Sequence, residues 1–364
     1  MQALVTLHYQ KIIVLHLALR EQHITLTSII SFMSSSHKFM LRVLLKLVLF
    51  GLRIYGWMRQ TKNKERMVAG LFVIPSIFLL IPTISFEITL LQSFLFQAML
   101  AYGIFSIIWI LKGHYRVAGT NFIIYLLLLI KVSGPLGSTL NVRQGQEELS
   151  VLQFNLLTRN TSYNETITRV KQLEPDLISF QEVSNTWATK LEDGLGNLYP
   201  YHRIASSKDE DQGIAIFSKH PLVDVEVYDW IGTKNITGKI QLNQEEVNFV
   251  ALHTRSPMTR DRYQNRNEHL KIAEDYIAQT EGEFLVLGDF NTVPWDKRLV
   301  SFRSSTNLED SRKRLTPTYP TWNPFIAQIP IDYIFHSNGI GCDSLNAVRI
   351  TSDHKAIMGS FLLK

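Results

Sequence analysis

The chain contains a single cysteine, Cys342, in 364 residues. One thiol cannot form a disulfide framework, and it cannot supply a zinc cluster built on thiolates. The motifs Gly-x-Ser-x-Gly and Gly-x-x-x-x-Gly-Lys-Ser/Thr are also absent from the sequence. Serine hydrolases and P-loop nucleotide-binding proteins are therefore not indicated. Any chemistry that the chain performs has to come from carboxylates, amides and histidines.

The second half of the chain has no excess of positive charge, although the net charge of the whole is +5. Residues 1–149 carry 14 basic and 5 acidic residues, whereas residues 150–364 carry 23 basic and 27 acidic residues. A domain that grips duplex nucleic acid usually has a basic face. The sequence pI of about 9.1 therefore reflects the N-terminal part, and it is not a signature of nucleic-acid binding.

Long apolar segments distinguish the N-terminal part. Residues 67–86 and 88–111 have no charged residue apart from Glu87 between them, and a third apolar segment covers residues 115–132. About 20 apolar residues are needed for a helix to cross a bilayer. Kinked helices are tolerated there, so Pro75 and Pro82 do not exclude a span. The sequence predicts three transmembrane helices, the alternative being buried core helices of a soluble protein.

The basic residues around these segments predict the orientation of the protein. Arg59, Lys62, Lys64 and Arg66 precede the first segment, and Lys112 and Arg116 lie between the second and third segments. Because short basic loops stay on the cytoplasmic side, we expect a multi-pass protein of the cytoplasmic membrane with its C-terminal domain on the non-cytoplasmic face. The position of Lys131 opposes this orientation.

The first 66 residues form a basic N-terminal region. Within it, Arg42, Lys46 and Arg53 fall on one stripe of an otherwise apolar segment, residues 39–57. This pattern favours an amphipathic helix lying in the membrane interface. If the segment spans the bilayer instead, the C-terminal domain becomes cytoplasmic. Met40 is an alternative start of the protein.

Residues 133–148 are predicted to be a linker, and residues 149–364 a separate domain. Short apolar runs there alternate with amphipathic segments, which indicates an α/β fold. The expected strands cover residues 149–155, 176–181, 213–218, 222–228, 247–253, 283–289, 332–336 and 357–362, and the expected helices cover residues 164–173, 186–195, 260–280 and 296–302.

Polar residues stand at the ends of several of these strands. They are Asn155, Glu182, His253, Asp289, Asn291, Asp332, Asp353 and His354. Each alone could be an ordinary turn or cap residue. Together, carboxylates and amides without thiols suit Mg²⁺ or Mn²⁺, and histidines beside them can move protons. The set indicates metal-assisted attack of water on a phosphate ester.

In this order, the motifs F-N, F-Q-E, A-L-H, G-D-F-N, I-D-Y and S-D-H resemble those of the endonuclease/exonuclease/phosphatase superfamily, over roughly residues 149–362. The resemblance implies a four-layer sandwich, with two packed mixed β-sheets between helices. It also implies roles: Asn155, Glu182 and Asp353 at or close to a Mg²⁺ ion (Mn²⁺ being possible), and Asp289 and Asn291 orienting water and phosphate. His354, oriented by Asp332, would contact the phosphate and stabilise the charge of the transition state. His253 would do the same from the opposite side or protonate the leaving oxygen. Either Asp289 or His354 would be the base.

More narrowly, the three apolar segments and the stretch Thr318-Tyr-Pro-Thr-Trp322 resemble those of bacterial membrane-anchored members of this superfamily. This resemblance does not identify the substrate, which could be a phospholipid, a nucleic acid or a small phosphoester. The expected partners are the lipid bilayer and such a phosphoester, with no obligate protein partner evident. Arg255 is a candidate phosphate contact. Arg266 and His269 are expected on a solvated helix face. Trp322 is expected to cover the core, the alternative being that its loop forms a wall of the active site. The alternative function is a catalytically silent, membrane-tethered binding module.

Overall fold

The computed structural model describes residues 64–134, 147–207, 212–243 and 245–363, together with residues 46 and 49. The chain divides into two compact units, residues 1–67 and residues 68–364. The second unit contains the elements on which the site depends. Most of the predicted interfacial helix 39–57, the alternative start Met40 and most of the linker 133–148 lie outside the described residues.

Four helices occupy the region of the three apolar segments. They are α1 (Lys64–Leu80), α2 (Phe86–Gln92), α3 (Leu95–Leu111) and α4 (Tyr115–Ser133). The first predicted segment, 67–86, is not helical to its end, because α1 stops at Leu80. Pro82 lacks a backbone donor and disfavours helical geometry at the residue before it, so the helix ends there. The second, 88–111, is broken between α2 and α3, which meet at 57°.

Length and composition set α4 and the bent pair of α2 and α3 apart from the other described helices. Helix α4 is long and apolar enough to cross a membrane, and so is the bent pair taken as one span. Helices α3 and α4 pack together: Ser106 Oγ donates to Ala118 O (3.0 Å), and a side chain at Gly103 would press on the ring of Tyr125. Close approach of two helices through a glycine is common in membrane bundles.

In the described residues, twelve strands form two six-stranded sheets. The strands are β1 (Glu148–Asn155), β2 (Leu177–Gln181), β3 (Tyr201–Ala205), β4 (Ile214–Ser218), β5 (Leu222–Trp230), β6 (Thr233–Leu242), β7 (Glu245–His253), β8 (Phe284–Asp289), β9 (Glu309–Asp310), β10 (Asp332–His336), β11 (Ile340–Val348) and β12 (Ala356–Leu363). The first sheet has the order β11-β12-β1-β2-β4-β3 and the second the order β5-β6-β7-β8-β10-β9. Each sheet has one parallel pair, β1 with β2 and β7 with β8.

The two sheets face each other across an apolar core, and helices cover their outer faces. Ile216, Phe249 and Leu287 are fully buried between the sheets. Helices α5 (Tyr163–Leu173) and α6 (Asn185–Leu195) pack on the first sheet, with Trp187 in the core there. Helices α7 (Arg260–Gln279) and α8 (Lys297–Thr306) cover the second sheet. The predicted four-layer sandwich is therefore confirmed.

The helices α1 to α4 contact the sandwich directly. Trp295 is buried among apolar side chains of α3 and α4, and its Nε1 donates to Gln92 O (2.6 Å). Thr83 Oγ1 accepts from the backbone N–H of Lys297 (2.6 Å). The segment that follows β8 is thus held against helices α1 to α4. The sandwich is therefore connected to these helices by side-chain contacts as well as by the linker.

The expectation that Arg266 and His269 of α7 face solvent is wrong. Arg266 is 1 % exposed and pairs with Asp296 (3.4 Å), while His269 is equally buried. The imidazole of His269 contacts Thr233 Oγ1 (3.0 Å) and Asn235 Oδ1 (2.8 Å) on β6. Buried polar side chains are stable where such partners satisfy them.

Candidate active site

The site lies where the parallel pairs of both sheets end. On the second sheet, Asp289 is paired in register with His253 of β7 on one side and with Asp332 of β10 on the other. On the first sheet, Asn155 ends β1 and Glu182 follows β2. Side chains at the ends of buried strands are held rigidly by the sheet and face the crevice at its rim.

Asp289 is the centre of the arrangement. Its Oδ2 lies 3.7 Å from His253 Nε2 and 3.7 Å from His354 Nε2, and it accepts from Asn155 Nδ2 (3.2 Å). Its Oδ1 accepts from the backbone N–H of Asn291 (2.9 Å). Burial, and then repulsion by Asp332, raise the pKa of Asp289 to about 6, although both histidines oppose this shift. Such a carboxyl is suited to exchange protons near neutral pH.

His354 is clamped by a second carboxylate. Its Nδ1 donates to Asp332 Oδ2 (2.9 Å), and the other oxygen of Asp332 accepts from Gln153 Nε2 (3.0 Å). Burial by itself would lower the pKa of His354, but attraction by Asp332 and Asp289 outweighs burial and raises it to about 10. His354 is therefore a fixed cation at neutral pH, with the ring of Tyr319 packed at 4.7 Å.

Asn291 closes the site on the side of His253. Its backbone is left-handed (φ 48°), a conformation that asparagine tolerates better than most residues. Its Nδ2 donates to Thr254 O (2.8 Å) and lies 3.4 Å from His253 Nε2. Asn291 is thereby fixed between His253 and Asp289.

Two carboxylates, Glu182 and Asp353, form the part of the site that fits a divalent cation. Glu182 has a left-handed backbone (φ 59°), a strained conformation for this residue type. Its carboxylate accepts from Asn155 Nδ2 (3.0 Å) and from Thr158 N (2.9 Å). Burial raises the pKa of Asp353, and the negative charge of Glu182 raises it further. Two neighbouring carboxylates suit a hard cation such as Mg²⁺ or Mn²⁺.

A second group of possible ligands includes a histidine. One ligand atom each from Asp289, Asp332 and His354 lies within 4.8 Å of the others. Asp289 lies between His253 and His354, and Asp332 holds His354 through Nδ1, so this group is also suited to orienting protons. Asn155 donates to two carboxylates, and its oxygen accepts from Leu157 N (3.0 Å), so it positions Glu182 and Asp289.

Arg255, the candidate phosphate contact, stays a prediction. Its guanidinium group donates to Gly232 O (3.1 Å). In the described part of the chain, no hydrogen bond or ion pair joins Arg255 to the residues at the strand ends. Seven of the eight predicted strand-end residues are joined by hydrogen bonds and ion pairs. The eighth, Asp353, precedes His354 and is close enough to Glu182 for their charges to interact.

Gln153 and Tyr319 belong to the site but were not expected from the sequence. Gln153 holds both Asp332 and Gln181 (Nε2 to Oε1, 2.7 Å). The sequence does give a signal for Gln153. It precedes Asn155 by two residues, so the two side chains lie on the same face of β1. Tyr319 is brought to His354 by a loop, and the sequence gives no signal for that contact.

The model of the endonuclease/exonuclease/phosphatase family matches residues 139–354, well over half of the chain. The chain belongs to this family. Its members include metal-dependent phosphoesterases and nucleases. No curated protein is similar enough in sequence to match the chain.

Solved structures of this family share the fold of the C-terminal sandwich. D. rerio TDP2, complexed with a single-strand DNA product, is 16 % identical; the match covers 59 % of this chain and 99 % of that one, with a TM-score of 0.51. The family protein from Beutenbergia cavernae is 17 % identical, covering 60 % of this chain and 72 % of that one (TM-score 0.51). At this level of identity, the likeness establishes the fold alone.

Proposed function

We propose that the protein is a membrane-anchored hydrolase of phosphoric esters that depends on Mg²⁺, with Mn²⁺ as a possible substitute. The observation that carries the proposal is the position of Asp289. Its carboxylate lies 3.7 Å from His253 and from His354, and His354 is in turn hydrogen-bonded to Asp332. One proton acceptor between two possible donors is the arrangement that phosphoester hydrolysis needs.

Asp289 is the better candidate for the base. With a pKa near 6 it is mostly ionised at neutral pH and can take a proton from water, whereas His354 is already protonated there. The charge of His354 can stabilise the negative charge of the phosphate in the transition state. His253, on the other side, can protonate the leaving oxygen. A divalent cation held by Glu182 and Asp353 supplies charge neutralisation at the phosphate when bound.

We expect the full chain, purified in detergent, to hydrolyse bis-p-nitrophenyl phosphate with Mg²⁺. Removing the metal with EDTA should lower the rate at least about 100-fold, because the carboxylates would then repel the phosphate. Added Mg²⁺ should restore it. The measurement is p-nitrophenol release.

The histidines allow a matched control for this assay. His354→Gln should remove the activity, whereas His220→Gln should retain it, because His220 lies outside the site. A wild-type chain that turns over neither phosphodiesters nor phosphomonoesters with any divalent metal contradicts the proposal and favours the silent binding module.

Membrane anchoring is proposed for α1, for the bent pair of α2 and α3, and for α4. About a third of the apolar window of α4 is buried, whereas a core helix of a soluble protein would be mostly buried. Ile107, Leu111, Ile123 and Ile130 are all more than half exposed. Apolar side chains displayed along neighbouring helices favour contact with lipid.

The proposed location is the cytoplasmic membrane, with the catalytic domain on the non-cytoplasmic face. A reporter that is active only in the cytoplasm, fused to the C-terminus, should give no signal. The same reporter fused after residue 114, in the basic turn between α3 and α4, should be active and serves as the control. A strong signal from the C-terminal fusion contradicts the orientation.

A further inference from the structure

A loop beside the site exposes three large apolar side chains. Trp322 is 62 %, Phe325 51 % and Ile326 60 % exposed. The expectation that Trp322 covers the core is therefore wrong. Soluble domains rarely display such a group together, and apolar patches of this kind mark surfaces that contact a partner or a membrane. We call Trp322, Phe325 and Ile326 the apolar tip.

The loop that carries the apolar tip is attached to the catalytic residues. The ring of Tyr319 lies 4.7 Å from that of His354 and 6.0 Å from that of Trp322. Thr321 N donates to Asp353 O (2.8 Å), and Thr321 Oγ1 donates to Ser352 O (2.7 Å). The loop that carries the apolar tip is therefore anchored to the site through Tyr319 and Thr321, while Phe325 and Ile326 make no contact with the catalytic residues in the described part of the chain.

The same loop also touches the start of α3. Gln97 Nε2 donates to Gln328 O (2.9 Å), two residues after Ile326. Ile331 is buried with Leu95 and Met99 of α3 and with Val132 at the end of α4. The apolar tip is thus continuous with the ends of the two helices that are candidates for membrane spans.

Cations lie next to the apolar tip. Lys355 Nζ lies 5.6 Å from the centre of the Phe325 ring, and Arg314, which is exposed, lines the same surface cleft. Aromatic side chains with lysine or arginine beside them are typical of protein surfaces at the headgroup level of a bilayer. This charge pattern favours a lipid surface over a purely apolar partner.

We infer that the apolar tip inserts into the headgroup region of the bilayer that holds α3 and α4, and that the site acts on a phosphoester presented at that surface. The inference rests on the proposed function, because it requires that α3 and α4 cross the membrane. If they do, the end of α4 at Val132 lies at the bilayer surface, and the loop that contains Ile331, which is buried with Val132, lies at the same depth. A second copy of the chain is the competing occupant.

The depth of the apolar tip can be measured in the full chain, reconstituted in nanodiscs of phosphatidylcholine and phosphatidylglycerol. On a Cys342→Ser background, a spin label is placed by Ile326→Cys or, as a control, by Leu198→Cys, since Leu198 is also exposed (52 %). We expect the label at position 326 to be accessible to oxygen and protected from a water-soluble nickel complex, and the label at 198 to show the opposite. Equal accessibility at both positions, or protection of 326 from both reagents, overturns the inference.

Kinetics test the consequence for the substrate. The double variant Phe325→Ser, Ile326→Ser should cleave soluble bis-p-nitrophenyl phosphate at the wild-type rate. Its headgroup release from phosphatidylcholine, phosphatidylglycerol or sphingomyelin in vesicles should fall about tenfold, because the apolar contact with the lipid is lost. Leu198→Ser should change neither rate.

The outcomes separate the inference from the proposed function. Equal loss on soluble and vesicle substrates, or no headgroup release by a wild-type chain that cleaves the soluble diester, overturns the inference alone. A wild-type chain that cleaves no phosphoester contradicts the proposed function, while the spin label still reports whether the apolar tip lies in the bilayer.

Discussion

Replacing Asp289 by Asn should lower kcat for bis-p-nitrophenyl phosphate by about 10³-fold, while KM stays within about twofold. Asparagine keeps the size of the side chain but removes the negative charge that lies between His253 and His354. The variant therefore loses the proton acceptor and leaves the Asp332–His354 pair in place. Steady-state kinetics of the full chain in detergent measure the effect.

The matched control for this variant is Asp343→Asn. Asp343 is an exposed carboxylate on β11, outside the crevice, so the change removes the same charge from a place where it does no chemistry. We expect its kcat to equal that of the wild type. If Asp289→Asn keeps more than about a tenth of the wild-type kcat, Asp289 is not the base.

The residues of the site could be predicted because each lies at or next to the end of a strand that is visible in the sequence. Asn155, His253 and Asp289 end strands whose last five residues are all buried, and a mainly apolar run that stops at a polar residue is visible in the sequence. The pairing that joins them was not predictable. Asp332 faces Asp289 because β10 runs antiparallel to β8 in this register, and the two lie more than forty residues apart in the chain.

The residues that escaped prediction depend on partners far away in the sequence. The first ten residues of helix α7 are polar apart from Tyr263, yet Arg266 and His269 are buried because Asp296 and the β6 residues Thr233 and Asn235 satisfy them. A pattern of apolar residues cannot show a buried face built from polar ones.

Missed strands have the same kind of cause. Strand β6 (Thr233–Leu242) contains lysine, asparagine and glycine, which are depleted in strands, but it is buried between β5 and β7. Strand β11 (Ile340–Val348) is interrupted by a register shift between Cys342 and Ser344. Tertiary pairing overrides local preference at both places.

Replacing Asp310 by Ala should destabilise the sandwich by about 3–5 kcal/mol. Asp310 is the partner of Arg312, which is only 1 % exposed. Arg312 Nε donates to Asp310 (2.9 Å), and the guanidinium group of Arg312 lies 3.9 Å from the centre of the Tyr333 ring. Removing the carboxylate leaves a buried guanidinium group without its counter-charge. Pulse proteolysis of the full chain in detergent, across a urea series, measures the change.

The control variant for this pair is Asp275→Ala, which breaks the exposed pair between Lys271 and Asp275 and should change the urea midpoint little. Adding Arg312→Met to Asp310→Ala should recover much of the stability, because no unpaired charge then remains.

Asp310 lies on β9, opposite Phe335 of β10, the strand that begins with Asp332. The single variant should therefore also lower the activity before the sandwich unfolds, since loosening β10 moves Asp332 away from His354. An Asp310→Ala chain with the wild-type urea midpoint would contradict both expectations, because the charge of Arg312 would then be satisfied elsewhere.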